Sequence, residues 1–292
     1  MHLRVIVLLI GLAVAGSIAC KNGGETPTGP GPIPGPNSTI AYTSIGASDA
    51  IGWGSSMFCI PFADCPNGRG YVQVATRELR ARGFTVNQSN LGLPGAVISR
   101  RVQDLGAQWG RSADANILEQ EAPFVTAGTT LVTIFAGAND INTVTSALGG
   151  GAGAADQTAF INSQIQAFGQ DFATLLRMVR EKTPSVRIIV LNLPNMGAMP
   201  FLANAPLQHR RAAQMLSVGM TTTVINPSIS SGVMVIDLMC DARSSQTSTY
   251  SSDGFHPSDT GYAWIAAEVV AATTSASYRA PASSCAQMTS VQ

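Results

Sequence analysis

The stretch IAYTSIGASDA, residues 40–50, decides the fold. Its first six residues are apolar, β-branched or hydroxyl-bearing, and Gly46 follows them, which is the pattern of a buried strand running into a tight turn. Ser48 then stands just past the strand's end. A serine at such a junction can cap a following helix by accepting from its first amides, or it can present a nucleophilic hydroxyl. The stretch alone leaves both open; a nucleophile needs a base, an orienting acid and an oxyanion site elsewhere in the chain.

Runs of the same kind recur as FTVNQSN (84–90), LVTIFAG (131–137), VRIIVLNL (186–193) and GVMVIDL (232–238). Helical patterns lie between and after them, at 71–83 (closed by Gly83), about 156–182, about 206–224 and 260–273. Strands alternating with helices predict an α/β fold, a three-layer α/β/α sandwich around a five-stranded parallel sheet. Ligands bind such sheets beyond the carboxyl ends of the strands, so chemistry is expected just after each one.

Four stretches fall on that edge. Ser48 follows the first strand. NLGLPGA (90–96) follows the second, and its glycines allow a turn with an exposed N–H, or simply a turn. FAGANDI (135–141) ends the third, where Asn139 either donates its amide toward a developing oxyanion or closes an Asx-turn. DGFHPSDTGY (253–262) follows the fifth. Gly254 and Pro257 make it a tight turn, in which Asp253 can accept from Nδ1–H of His256 and leave Nε2 free to take a proton from a serine. The other histidines are His2, in the leader, and His209, beside Arg210 and Arg211 on a predicted helix. A histidine base for a serine here is therefore His256.

The order of these blocks resembles the SGNH (GDSL-like) hydrolase family, which carries Ser, Gly, Asn and His in that order in its first, second, third and fifth blocks. GAS (46–48), NLGLPGA, GAND (137–140) and DGFH (253–256) match them, across a body running from Ile40 to Thr273. The resemblance implies a flavodoxin-like sandwich and a serine esterase or lipase that cleaves carboxylic esters through an acyl-serine intermediate. It implies Ser48 as nucleophile, His256 as base and Asp253 as orienting acid, with no metal and no organic cofactor. The oxyanion site it implies is the Ser48 and Gly95 N–H groups with the Asn139 side chain. Ser44 is the alternative nucleophile and Gly92 the alternative glycine. One position departs from the family: Ala47 stands where an Asp usually precedes the serine, and Asp49 follows it instead, so the hydrogen bonding that usually orders that turn is not carried over.

Upstream of the body, residues 1–19 have a short basic start, an apolar run from Val5 to Ala15 and small residues after it, the pattern of a secretory signal peptide. GSIAC (16–20) resembles the lipobox of bacterial lipoproteins, with Ser17 where Leu is usual, and implies lipidation of Cys20. KNGGETPTGPGPIPGPNS (21–38) has no apolar periodicity and reads as a Pro/Gly-rich spacer. The expectation is an exported, lipid-anchored protein of the bacterial cell envelope, periplasmic or surface-facing, with one domain from residue 39 to 292. Setting Cys20 aside leaves four cysteines, for which we favour a local bracket, Cys59–Cys65, and a clamp on the tail, Cys240–Cys285. No CxxC spacing or adjacent histidine suggests a metal. Charged residues are 12% of the chain and the formal net charge is zero, so nucleic acid is not an expected partner.

Beside the predicted nucleophile, WGSSMFCIPFADCPN (53–67) is unusually apolar for a loop. Trp53, Met57, Phe58, Ile60 and Phe62 either line a substrate pocket or pack beneath the first helix. Two other readings compete. GASDA is one residue short of the elbow of an α/β-hydrolase, but that elbow follows several strands and its Asp and His lie far apart in sequence. The remaining reading is a non-catalytic surface lipoprotein that keeps the sandwich and binds glycan or protein.

Overall fold

The computed structural model describes residues 29–63 and 65–292. The leader and Cys20 lie outside the described residues. Strands β1 (Thr39–Gly46), β2 (Thr85–Asn90), β3 (Leu131–Phe135), β4 (Arg187–Leu191) and β5 (Met234–Ile236) form one sheet. Every pairing is parallel and the spatial order is β2-β1-β3-β4-β5. This is the five-stranded, doubly wound sheet read from the sequence.

Among the described residues seven α-helices accompany it: α1 (Tyr71–Ala81), α2 (Arg100–Gln108), α3 (Ile117–Gln120), α4 (Ala138–Gly149), α5 (Gln157–Lys182), α6 (Leu207–Met220) and α7 (Asp259–Thr274). The helices α1 and α7 pack together on one side of the sheet, and α2, α4, α5 and α6 pack among themselves on the other. With both faces covered, every residue of β3 and β4 is buried, which is why these strands read as apolar runs without alternation. Strand β2 lies at the edge, so Val86 and Asn90 are buried while Thr85, Asn87 and Ser89 stay outside. Asp156 caps α5 by accepting from the Ala159 N–H at 2.9 Å. Ser258 caps α7 by accepting from the Gly261 N–H at 3.2 Å, and each cap is worth about 1 kcal/mol.

Three differences from the sequence reading have physical causes. Helices α2 and α4 were not expected; α4 is rich in Thr, Val and Asn, poor helix formers held here by burial of Ile141, Val144 and Leu148. Strand β5 is shorter than the apolar run at 232–238, because Gly232 turns through φ +71. Beyond its other end Asp237 Oδ1 takes the Asn192 amide and the Cys240 N–H. Residues 29–38 of the expected spacer do not stand away from the body. They lie against it because Arg187, buried at the start of β4, requires acceptors: its guanidinium donates to the carbonyls of Gly31, Ala272 and Ser275.

The chain runs from β1 out to β2 at the edge and then crosses back to β3 on the opposite side of β1. The carboxyl ends of β1 and β3 therefore flank the topological switch point, with Gly46 in register with Phe135. Disulfides join Cys59 to Cys65 and Cys240 to Cys285, with Cα atoms 5.9 and 5.6 Å apart. Among the described residues no helix is long and apolar enough to cross a membrane.

Candidate active site

Beyond β1 no helix begins. Residues 47–53 form consecutive turns, with Ala50 N–H donating to Ala47 O at 3.1 Å and Trp53 N–H to Ser48 O at 3.0 Å. Ser48 therefore caps no helix, and its hydroxyl is free for another partner. That partner is His256, whose Nε2 lies 2.8 Å from Ser48 Oγ. On the far side of the ring, Nδ1 lies 2.6 Å from Asp253 Oδ2. His209 lies on α6, away from this line. Ser44 is wholly buried in β1, so no substrate reaches it.

The turn holding Asp253 and His256 is tightly tied. Asp253 Oδ1 accepts from Ser251 Oγ and from the N–H groups of Phe255 and His256, all within 2.9 Å. Burial opposes the charge of Asp253, but the hydrogen bonds from His256, Phe255 and Ser251 outweigh it and hold the carboxyl at about 2. Gly54 passes so close that a Cβ there would come within 2.6 Å of His256 Cβ, so only glycine lets this loop support the ring. Asp259, the first residue of α7, accepts from Ser56 N–H and Oγ at 2.7 and 2.6 Å and fixes the same loop.

The second and third blocks meet beside this line. Asn139 lies in the first turn of α4 rather than in an Asx-turn, and its Nδ2 donates to Ala96 O at 3.1 Å, next to Gly95. One amide hydrogen of Asn139 remains uncommitted. Gly95 has φ +75 and open space where a side chain would stand. Gly92 differs: its N–H donates to Asn90 Oδ1 at 3.1 Å, and a Cβ there would sit 2.5 Å from Ala50 Cβ. Of the two glycines, Gly95 has the freer backbone. Arg111 reaches in from beyond α2, donating to Asn139 Oδ1 at 3.3 Å and to Thr143 Oγ1 at 2.8 Å. Asp140, beside Asn139, accepts from Ile98 N–H through both oxygens, and burial raises it to about 7.

A family model described as GDSL-like lipase/acylhydrolase matches residues 44–264, a span that starts before Ser48 and ends beyond His256. The chain belongs to that family. Membership makes the protein an ester hydrolase. The fold is shared with solved structures at low sequence identity. An extracellular lipase from Streptomyces rimosus is 16% identical with a TM-score of 0.54, covering 80% of this chain and all (100%) of that one. A phospholipase A1 from Streptomyces albidoflavus is 17% identical with a TM-score of 0.52, covering 80% and 99%. A lipase from a goat rumen metagenome is 18% identical with a TM-score of 0.51, covering 80% and 97%. No curated protein matches the chain.

The apolar loop of this GDSL-like hydrolase divides in two. Trp53 and Phe58 are about half exposed, their rings 4.8 Å apart, and Trp53 lies 6.5 Å from the His256 ring. Phe62, also exposed, turns away toward Phe124 at 6.3 Å, and Met57 and Ile60 face outward. None of these residues lines the apolar cavity of about 30 Å³ behind the Asp253–His256 turn, which is bounded instead by Asp49, Phe135, Met196, Met199, Leu238 and Phe255 among others. The structure thus has an exposed aromatic pair beside His256 and, apart from it, a small cavity. Two residues near the site escaped the sequence reading. Arg111 is one, and the other is Glu121, a fully buried carboxyl that reaches the turn before Ser48.

Proposed function

We propose that the protein hydrolyses carboxylic esters through an acyl-serine intermediate, with Ser48 as nucleophile, His256 as general base and Asp253 as the acid that orients it. The observation that carries this reading is the unbroken line from Ser48 Oγ through the imidazole to Asp253, with steps of 2.8 and 2.6 Å. Neutral His256 takes the hydroxyl proton at Nε2 as Ser48 Oγ attacks the ester carbonyl, and ionised Asp253 stabilises the imidazolium that forms. The Ser48 and Gly95 N–H groups and the free hydrogen of Asn139 receive the oxyanion. The imidazolium returns the proton to the departing alkoxide, and water repeats the sequence on the acyl-enzyme.

A fluorophosphonate probe tests this directly. The expected result is one label per folded chain at Ser48, absent from Ser48→Ala, together with hydrolysis of nitrophenyl esters or acetylated xylan. Folded protein that takes no label and turns over no ester is instead a binder on a hydrolase scaffold. We further propose that Cys20 carries a lipid anchor in an exported protein; its support is GSIAC and a body held by disulfides, which suit an oxidising compartment. Cys20→Ser should then lose palmitate incorporation and leave the membrane fraction.

A further inference from the structure

Glu121 is fully buried, and among the described residues no cation pairs with it. A carboxyl placed so is costly unless its oxygens are used. They are used on two amides from two different loops: Oε2 accepts from Gly46 N–H at 2.8 Å and Oε1 from Leu93 N–H at 3.4 Å. Gly46 lies two residues before Ser48, and Leu93 two residues before Gly95. One carboxyl thus spans the loop of the nucleophile and the loop of the proposed oxyanion glycine, holding each at the same offset from its donor.

The local packing leaves that task to Glu121. At the nucleophile turn, Ala47 contributes no polar side chain. Gly46 is pressed against β3, so that a Cβ on it would come 2.8 Å from Phe135 O. Its N–H points to Glu121 rather than to water. Asn90 adds a second tie between the loops, donating from Nδ2 to Ala50 O at 2.7 Å, but it acts downstream of Ser48. Glu121 is the tie upstream of both amides.

We infer that Glu121 is a positioning residue for ester hydrolysis, setting the distance between the Ser48 and Gly95 amides so that both meet one oxyanion. The inference rests on the acyl-serine reading above. Because donors misplaced by a fraction of an ångström lose transition-state stabilisation without losing substrate binding, the effect belongs in kcat rather than KM.

The variants are Glu121→Gln, which keeps the volume but turns an amide N–H toward one of the two backbone donors, and Glu121→Ala, which removes both acceptors. Turnover is measured per serine titrated by fluorophosphonate, alongside KM and thermal melting. We expect kcat per active site to fall about 10-fold in the Gln variant and about 10²-fold in the Ala variant, with KM within about twofold. If the Ala variant does not fold, the Gln variant decides alone. Folded variants with wild-type kcat per labelled serine, however low their melting temperature, would make Glu121 purely structural and overturn the inference. Wild-type protein that fails to label at Ser48 overturns the acyl-serine reading and this inference with it, so the two failures are told apart by the parent enzyme.

Discussion

Ser48 Oγ and His256 Nε2 are 2.8 Å apart although 208 residues separate them in sequence. The contact serves catalysis only while the imidazole is neutral and Asp253 is charged. Asp253, held at about 2, stays ionised through the whole working range. An acid-side loss of rate well above that value therefore does not belong to Asp253. Asp253→Asn should lower kcat by at least about 10²-fold by favouring the wrong tautomer. The same depressed carboxyl contributes stability above its unfolded value, lost as pH falls toward 2. An Asp253→Asn variant that folds and keeps wild-type kcat would remove this carboxyl from the mechanism.

Asn139 is held at both ends of its amide, with Nδ2 on Ala96 O and Oδ1 receiving the Arg111 guanidinium. That second bond fixes which way the amide faces, since a flip would bring two donors together at Arg111. Asn139→Ala should cost about 10² to 10³ in kcat as the loss of one oxyanion donor. Arg111→Met should cost less, about 10-fold, with KM unchanged, and should add nothing once Asn139 is already Ala. Equal losses in the wild-type and Asn139→Ala backgrounds would mean that Arg111 acts elsewhere.

Much of this was legible in the sequence. Ser48 and Asn139 could be picked out because each stands just past a strand, and strands announce themselves by apolar β-branched runs such as RIIVL; Asp253 and His256, farther beyond β5, could be picked out by the tight turn DGFH and the scarcity of other histidines. Glu121 and Arg111 could not. Each acts by side-chain reach across 75 and 28 residues of chain to Gly46 and Asn139, and neither lies in a motif or at a strand end. Helix α4 was missed for the opposite reason: its local composition argues against a helix and only packing of its buried face overrides that. The apolar loop at 53–62 was visible as a feature, but which of its rings faces His256 and which faces Phe124 depends on tertiary packing that local composition does not encode.

That division separates the roles of the aromatic side chains. Trp53 and Phe58 form an exposed ring pair whose Trp53 lies close to the His256 imidazole, the group that protonates the leaving alcohol in the proposed mechanism. Trp53→Ala or Phe58→Ala should change the ranking of esters that share an acyl group but differ in the alcohol, with shifts of about 10-fold in kcat/KM for aromatic or bulky alcohols. Phe62→Ala should leave the ranking unchanged, because its ring packs on Phe124 instead. A panel in which Phe62 changes specificity and Trp53 does not would reverse the assignment.

The Cys240–Cys285 bridge encloses the Asp253–His256 turn and all of α7 within a 45-residue separation. In the chain-entropy picture a loop of that length stabilises by about 4 kcal/mol. Other bonds also hold the tail: Ala282 N–H donates to Asp237 Oδ2 at 2.9 Å, and the Asn195 amide to Gln287 O at 2.7 Å. The Asp253–His256 turn has ties outside the bridge as well, since Phe201 N–H donates to Gly254 O at 3.1 Å and Ser258 N–H to Thr249 O at 2.8 Å. Because these act only in the folded state while the bridge also restricts the unfolded chain, Cys240→Ser with Cys285→Ser should lower the melting temperature by roughly 10 °C and leave kcat at room temperature within about twofold. Calorimetry beside a nitrophenyl ester assay checks both numbers. Turnover lost well below the melting transition would show instead that the bridge, and not the local hydrogen bonds, keeps His256 against Ser48.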